Sequence, residues 1–163
     1  MSNSEIRLRP EESSDLPFLR ALFATTRVDV TFSNLPQEQK KHFIQMQFDA
    51  QRHHYCSYYQ NTEFHIIEQD GCPIGRLYLS RMPDQIRVME LTISPEHRGK
   101  GIGSRLLKAV QAQAQSLGLA VTLHAEKMGN MVEFYKPLGF EVVEEKEAHF
   151  FMKWVARSSI IST

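Results

Sequence analysis

The sequence predicts a mixed α/β domain in which strands and helices alternate around one sheet. Three observations carry this. Ile86 to Ser94 alternates apolar and polar residues, runs into a glycine-rich turn, and passes at once into an amphipathic helical pattern reaching Leu117. Asp70-Gly71 separates two β-patterned segments and reads as a tight hairpin turn. Three strand-length apolar runs then follow, with one short helical stretch among them. The resulting order, β-α-α-β-β-β-α-β-α-β-β, is mixed rather than doubly wound.

The totals set bounds. A chain of 163 residues suits one domain with a substantial core, assigned to 1–155, with 156–163 a disordered tail that has little to bury. Lys+Arg and Asp+Glu balance at 19 each, so no global field draws nucleic acid. Cys56 and Cys72 lack disulfide or metal spacing, which predicts a reduced, cytoplasmic protein. The N-terminus is polar, with Glu5, Glu11 and Glu12, and carries no signal-peptide pattern. No apolar run approaches the length needed to span a membrane, so no membrane partner is expected. Seven histidines occur without H-E-x-x-H or H-x-H, and no metal is expected.

The elements follow in order. Ile6-Arg7-Leu8-Arg9 alternates and stops at Pro10, a first strand. Glu11 to Asp15 can cap a helix, along one side of which lie Leu16, Leu19, Phe23 and, at its limit, Arg27. Pro17 fits the first turn. Val28 to Leu35 reads as a loop or helix break. Pro36-Gln37-Glu38 opens a second helix reaching Tyr55 to Tyr59, with Phe43, Met46 and Ala50 at helical spacing. Thr62 to Glu68 and Pro73 to Leu79 are the hairpin strands, and Met82 to Gln85 turns into the central strand. In the helix after the glycine turn, Ile102, Leu106, Val110, Ala114 and Leu117 form one stripe, and Lys108, Gln111, Gln113 and Gln115 face water. Gly118 ends it. Leu119 to Ala125 is a strand, Met131 to Leu138 a short helix ended by Gly139, and Phe140 to Glu144 with Ala148 to Trp154 a closing pair.

The chemistry concentrates at Pro95-Glu96-His97-Arg98-Gly99-Lys100-Gly101-Ile102-Gly103. A glycine turn at a helix N-terminus aims free N–H groups at one place, where the helix field favours an anion. Gly99, Gly101 and Gly103 remove side chains that would hold a ligand off the backbone. Neither a Walker loop nor a dinucleotide G-x-G-x-x-G fits this spacing. The alternative is a tight turn that serves structure alone. The segment resembles the acetyl-coenzyme A loop of the GCN5-related N-acetyltransferases (GNAT family). Ile6-Arg7-Leu8-Arg9-Pro10, Ser13 to Pro17, Asp70 to Arg76 and Phe134-Tyr135-Lys136-Pro137-Leu138-Gly139-Phe140 extend the resemblance over nearly the whole chain.

That resemblance implies a central, mostly antiparallel sheet of about seven strands flanked by four helices, with parallel central strands that splay where acetyl-CoA enters. It implies that amides of Arg98, Gly99, Lys100, Gly101, Ile102, Gly103 and Ser104 grip the pyrophosphate. Arg98 and Lys100 can add charge, or Arg98 can tie the turn to the strand; the Ile102 side chain faces the core. The end of the central strand, at Leu91, Thr92 and Ile93, would pair with the pantetheine arm and donate an N–H to the thioester carbonyl. Gly75 would avoid crowding beside a neighbouring strand.

Acetyl transfer to an amine also needs a base and an acid. Period two places Val88, Glu90 and Thr92 on one side of the central strand. A carboxylate among apolar neighbours there needs a reason: general base, directly or through water; anchor for the substrate ammonium; or a structural pair with Arg76. The resemblance makes Tyr135 the general acid to the coenzyme thiolate, since a phenol with a pKa near 10 stays protonated; packing is its alternative role. Asn130 lies five residues before Tyr135, whereas the family places Asn six or seven before it, and Met131 stands where Ala is usual; Asn130 reaches the cofactor arm only by a slight shift. His124 or Glu126 could relay a proton.

The acceptor is expected to be a small primary amine or amino-acid-like molecule. Tyr55, Tyr58 or Tyr59 could line its pocket or simply pack on the sheet. Arg52, His53 and His54 offer a positive rim, and Glu147 or His149 could reach the groove. A sheet edge or the aromatic second helix could make a homodimer. A module that binds acyl-CoA without turnover is the rival class, as is an enzyme acting on protein N-termini or lysines.

Overall fold

The computed structural model describes residues 5–59 and 61–156. Its elements are β1 (Ile6–Pro10), a 3-10 turn (Ser13–Asp15), α1 (Leu16–Ala24), α2 (Val28–Thr31), α3 (Gln37–Tyr58), β2 (Thr62–Gln69), β3 (Cys72–Met82) and β4 (Gln85–Ile93). A 3-10 turn (Pro95–His97), α4 (Ile102–Leu117), β5 (Ala120–Glu126), α5 (Val132–Tyr135), a third 3-10 turn (Lys136–Leu138), β6 (Glu141–Glu145) and β7 (His149–Trp154) complete it. The seven strands form one sheet in the order β1-β2-β3-β4-β5-β7-β6. β1 with β2, β5 with β7 and β6 with β7 are antiparallel. β4 and β5 are parallel, from Gln85↔Ala120 to Val88↔Leu123. A parallel pair needs a crossover, and α4 supplies it. Of the tail expected at 156–163, residues 157–163 lie outside the described residues. No helix among the described residues is long and apolar enough to cross a membrane.

The described chain groups into two compact units, one of residues up to Tyr78 with Glu90–Ile102, the other of Leu79–Met89 with residues from Gly103 onward. In the first, Asp15 ends the opening 3-10 turn and forms a reciprocal capping box with Glu12. Its carboxylate also accepts two 2.8 Å hydrogen bonds from Arg9. Leu19, Phe23, Phe48 and Ile66 form a core cluster. The rings of Phe23 and Phe48 meet edge to face at 5.6 Å. α1 ends at Ala24, so Arg27 is not on its apolar stripe; instead its guanidinium lies 4.6 Å from the Phe23 ring centroid. Val28–Thr31 is a helical turn within the stretch expected as a loop or break.

The face of α3 differs from its apparent apolar spacing. Phe43, Met46 and Ala50 are exposed, whereas Phe48 and Tyr55 are buried and Ile44, Gln47, Gln51 and Arg52 are half-buried. The buried stripe is mixed, and its polar members pair internally. Arg52 donates to Glu11 at 2.6 Å and to the Tyr78 hydroxyl at 3.2 Å. Tyr78 in turn donates a short bond to Glu11. Arg52 is therefore a packed structural cation rather than part of a positive rim, while His53 and His54 are exposed. The β2–β3 hairpin has positive φ at both turn residues, 52° at Asp70 and 85° at Gly71, as a type I′ turn requires.

In the second unit, Leu106, Leu107, Val110 and Ala114 of α4 are buried, as is Ile102 at its start in the first. Leu117 is exposed, while Gln111 is buried and donates to the Leu138 carbonyl at 2.9 Å. Both reverse the expected faces: the Gln111 amide is tolerated inside because it is satisfied there, and Leu117 lies in the last turn, outside the buried stripe. The helix ends in a Schellman pattern: Gly118 N–H bonds Gln115 O and Leu119 N–H bonds Ala114 O. β6 is exposed along its whole length, so its glutamates are solvated.

Candidate active site

The end of β4 is set by how closely β3 approaches it. At Gly75 a Cβ would lie 2.4 Å from the Thr92 carbonyl oxygen and 3.2 Å from Ile93 Cα. Only glycine permits that distance. Just beyond, Ser94 N–H donates to Ile74 O at 2.7 Å. Thr92 is buried; Leu91 and Ile93 are half-buried.

The turn that follows leaves its backbone open. Gly99 and Gly101 have φ of 75° and 79°, with nothing within 4 Å of where a Cβ would stand. Their reason is therefore backbone conformation, with free space above it. Among the described residues, the N–H groups of Gly99, Lys100 and Gly101 make no hydrogen bond to the protein. α4 begins at Ile102, and the first N–H groups of any helix lack intrahelical partners. Arg98 holds this arrangement in place: Nε donates to Ile93 O at 2.7 Å and Nη2 to Thr25 Oγ1 at 3.3 Å. Lys100 is exposed and the Ile102 side chain is buried. An open row of amides at the head of a sixteen-residue helix fits a diphosphate.

Glu90 sits at the centre of a polar cluster. Its Oε1 accepts from Thr92 Oγ1 at 3.0 Å, which confirms that the two share a face. Oε2 accepts from Tyr55 Oη at 3.1 Å and Gln51 Nε2 at 3.2 Å, and lies 3.5 Å from Arg76 Nη2. Gln51 bridges the ions, since its Oε1 accepts from Arg76 Nη2 at 3.1 Å. Arg76 is fully buried, whereas 21% of the Glu90 side chain remains exposed. The pair with Arg76 is present, yet the carboxylate keeps a solvent-facing part. Burial, reinforced by the Glu90 charge, pushes the Tyr55 hydroxyl well above its usual range and keeps it a donor. Tyr78, 6.1 Å from Tyr55 between centroids, is pushed up to about 12, chiefly by burial. Tyr58 is exposed and Tyr59 half-buried, so Tyr55 alone among the three aromatic candidates bonds to Glu90 within the described contacts. Gln51 was not singled out by sequence; its signal was the four-residue step to Tyr55, which puts both on one helix face.

The remaining candidates lie in the second unit. Tyr135, the last residue of α5, is buried and packs against Phe140 at 5.7 Å and Phe134 at 5.1 Å. Asn130 is exposed, with a left-handed φ of 54°, and its carbonyl accepts from Glu133 N–H. The short Asn-to-Tyr spacing thus ends in a turn that starts α5. His124 stacks 4.9 Å from Phe151, and burial followed by the Arg87 charge lowers its pKa. Glu126 and Glu147 are exposed, and His149 is half-buried. No group of three or more His, Cys, Asp or Glu among the described residues is placed to hold a metal.

A mixed seven-stranded sheet with a parallel β4–β5 pair, followed by an open amide loop that starts the crossover helix, defines the acyl-CoA N-acyltransferase class of fold. Residues 31–156 match the Acetyltransferase (GNAT) domain model, and the chain belongs to that family. It is 27% identical over 167 aligned positions to the spermidine N(1)-acetyltransferase of Escherichia coli, covering 98% of this chain and 85% of that protein. It is 26% identical to an uncharacterized N-acetyltransferase of Methanocaldococcus jannaschii, of which it spans 62%, with 72% of this chain covered. Against the mycothiol acetyltransferase of Nocardiopsis dassonvillei it is 31% identical over 64 residues, 39% of this chain and 19% of that protein. Among solved structures, the PaiA N-acetyltransferase of Thermoplasma acidophilum in complex with coenzyme A superposes with a TM-score of 0.70 at 19% identity, covering 93% of this chain and 99% of that one. The acetyltransferase of Thermus thermophilus superposes with a TM-score of 0.65 at 16% identity, covering 93% and 97%.

Proposed function

We propose that this chain transfers an acetyl group from acetyl-CoA to a small primary amine by direct attack. The observation that carries the proposal is the open amide loop at Gly99–Gly101, heading α4 in a chain of this family. Acetyl-CoA, when bound, supplies the activated acetyl thioester. The amides from Arg98 to Ser104 bind its pyrophosphate, and Leu91, Thr92 and Ile93 offer the strand edge that orients the pantetheine arm. Asn130 has a lesser place on that arm. Glu90 takes the proton from the attacking amine, directly or through water, as the new N–C bond forms. Tyr135 Oη gives its proton to the sulfur as the C–S bond breaks. Similarity to a spermidine acetyltransferase along nearly the whole chain supports beginning the search for the acceptor with polyamines.

The test is release of free thiol from acetyl-CoA in the presence of an amine panel that includes spermidine, amino acids and lysine peptides. Turnover is expected with at least one small amine. Glu90→Gln and Tyr135→Phe are each expected to lose about a hundredfold in kcat while still binding acetyl-CoA. Binding without turnover on any amine favours the coenzyme-binding module, and turnover on peptides alone favours a protein acetyltransferase.

A further inference from the structure

Glu90 is held asymmetrically, and the asymmetry comes from the helix that faces it. Oε2 receives Tyr55 and Gln51 from α3 and stands beside Arg76 of β3. Oε1 receives one donor among the described residues, Thr92 of the same strand. A carboxylate oxygen has two lone pairs, so Oε2 is filled and Oε1 keeps one lone pair for something else. Gln51 cannot turn its amide over without losing both its bonds, because Arg76 fixes its oxygen and Glu90 its nitrogen. Tyr55 is buried against Tyr78, which is itself tied to Glu11 and Arg52. The donors to Oε2 therefore sit on a rigid backing.

We propose that Tyr55 and Gln51 are positioning residues for Glu90: they pin Oε2 and present Oε1 as the oxygen that meets the acceptor amine or its bridging water. This rests on the acetyltransferase reading for the identity of what Oε1 meets, but the pinning itself does not. The arrangement makes α3 the element that aims the base. Removing either donor leaves Oε2 one bond short and lets the carboxylate turn away from the orientation that presents Oε1. The charged and titratable groups around it are Tyr55 from α3 and Arg76 from β3, with Tyr78 behind Tyr55.

The experiment follows the Glu90 side-chain 13C carboxyl signal at neutral pH in the wild type, Tyr55→Phe and Gln51→Leu, with no coenzyme or amine present. Both variants are expected to shift and broaden that signal, because a carboxylate that has lost a donor at Oε2 samples more than one orientation. Tyr55→Phe keeps the ring and its packing, so thermal unfolding should move little. With an accepted amine, kcat should fall about tenfold or more, with acetyl-CoA affinity unchanged. A Glu90 signal that is identical in all three proteins overturns the proposal. So does wild-type kcat in both variants where Glu90→Gln is inactive. Loss of coenzyme binding or turnover in the wild type sinks the acetyltransferase reading instead, and leaves the carboxyl signal to decide the pinning.

Discussion

At Gly75 two backbones come closer than any side chain allows. An added Cβ would overlap the Thr92 carbonyl oxygen at 2.4 Å, and its other near contacts are the Cα and Cδ1 of Ile93 at 3.2 Å. A carbonyl inside a strand cannot swing aside as a side-chain tip can. Gly75→Ala is expected to cost about 2–3 kcal/mol, read as a lower urea midpoint with an unchanged m-value. A loss under about 0.5 kcal/mol contradicts the close approach. The same substitution moves the Thr92 and Ile93 peptides, so acetyl-CoA affinity should weaken along with stability.

At the scale of elements, the first helical segment depends on one carboxylate. Asp15 accepts two bonds from Arg9 and one from Glu12 N–H at 2.7 Å, joining β1 to the start of α1. The Arg9 guanidinium holds the Asp15 carboxyl below its usual range against the opposing effect of burial. A depressed carboxylate contributes stability that is fully present above its unfolded value of about 3.9, and that is lost as pH falls through the folded value. Asp15→Asn is therefore expected to cost about 2 kcal/mol at pH 7 and to flatten the acid side of the stability profile below about pH 4. Urea titrations across that range measure it; parallel profiles for the two proteins contradict the linkage. Elements differed in how legible they were. α4, the Asp70-Gly71 turn and the shared face of Glu90 and Thr92 were readable because one period dominated each. α3 was not. Its exposed Phe43 and Met46 made a false stripe one residue, about 100°, away from the true one. The true stripe holds Gln51 and Arg52, whose burial is repaid by partners on β3, β4 and the segment before α1. Such pairing has no periodic signature. Gln111 was misplaced for the same reason, and four-residue α2 is too short to show a period at all.

For the molecule as a whole, coenzyme binding must appear as stability. A ligand that binds only the folded chain adds RT ln(1 + [L]/Kd), about 2.7 kcal/mol at a hundred times Kd. In a chain of this length each kcal/mol moves Tm by about 2–4 °C, so saturating acetyl-CoA should raise it by roughly 5–10 °C. The shift should grow with concentration and keep growing past saturation, as mass action requires. Gly101 supplies the control. Its φ of 79° in open space admits glycine but opposes a β-branched residue, so Gly101→Val bends the amide row out of shape without touching the core. The variant should melt slightly below the wild type alone and gain almost nothing from acetyl-CoA. Since the chain carries no net charge, long-range attraction contributes little, and moderate salt should leave most of the wild-type shift intact. A shift that vanished in 0.3 M salt, or that survived undiminished in Gly101→Val, would move the site away from the loop.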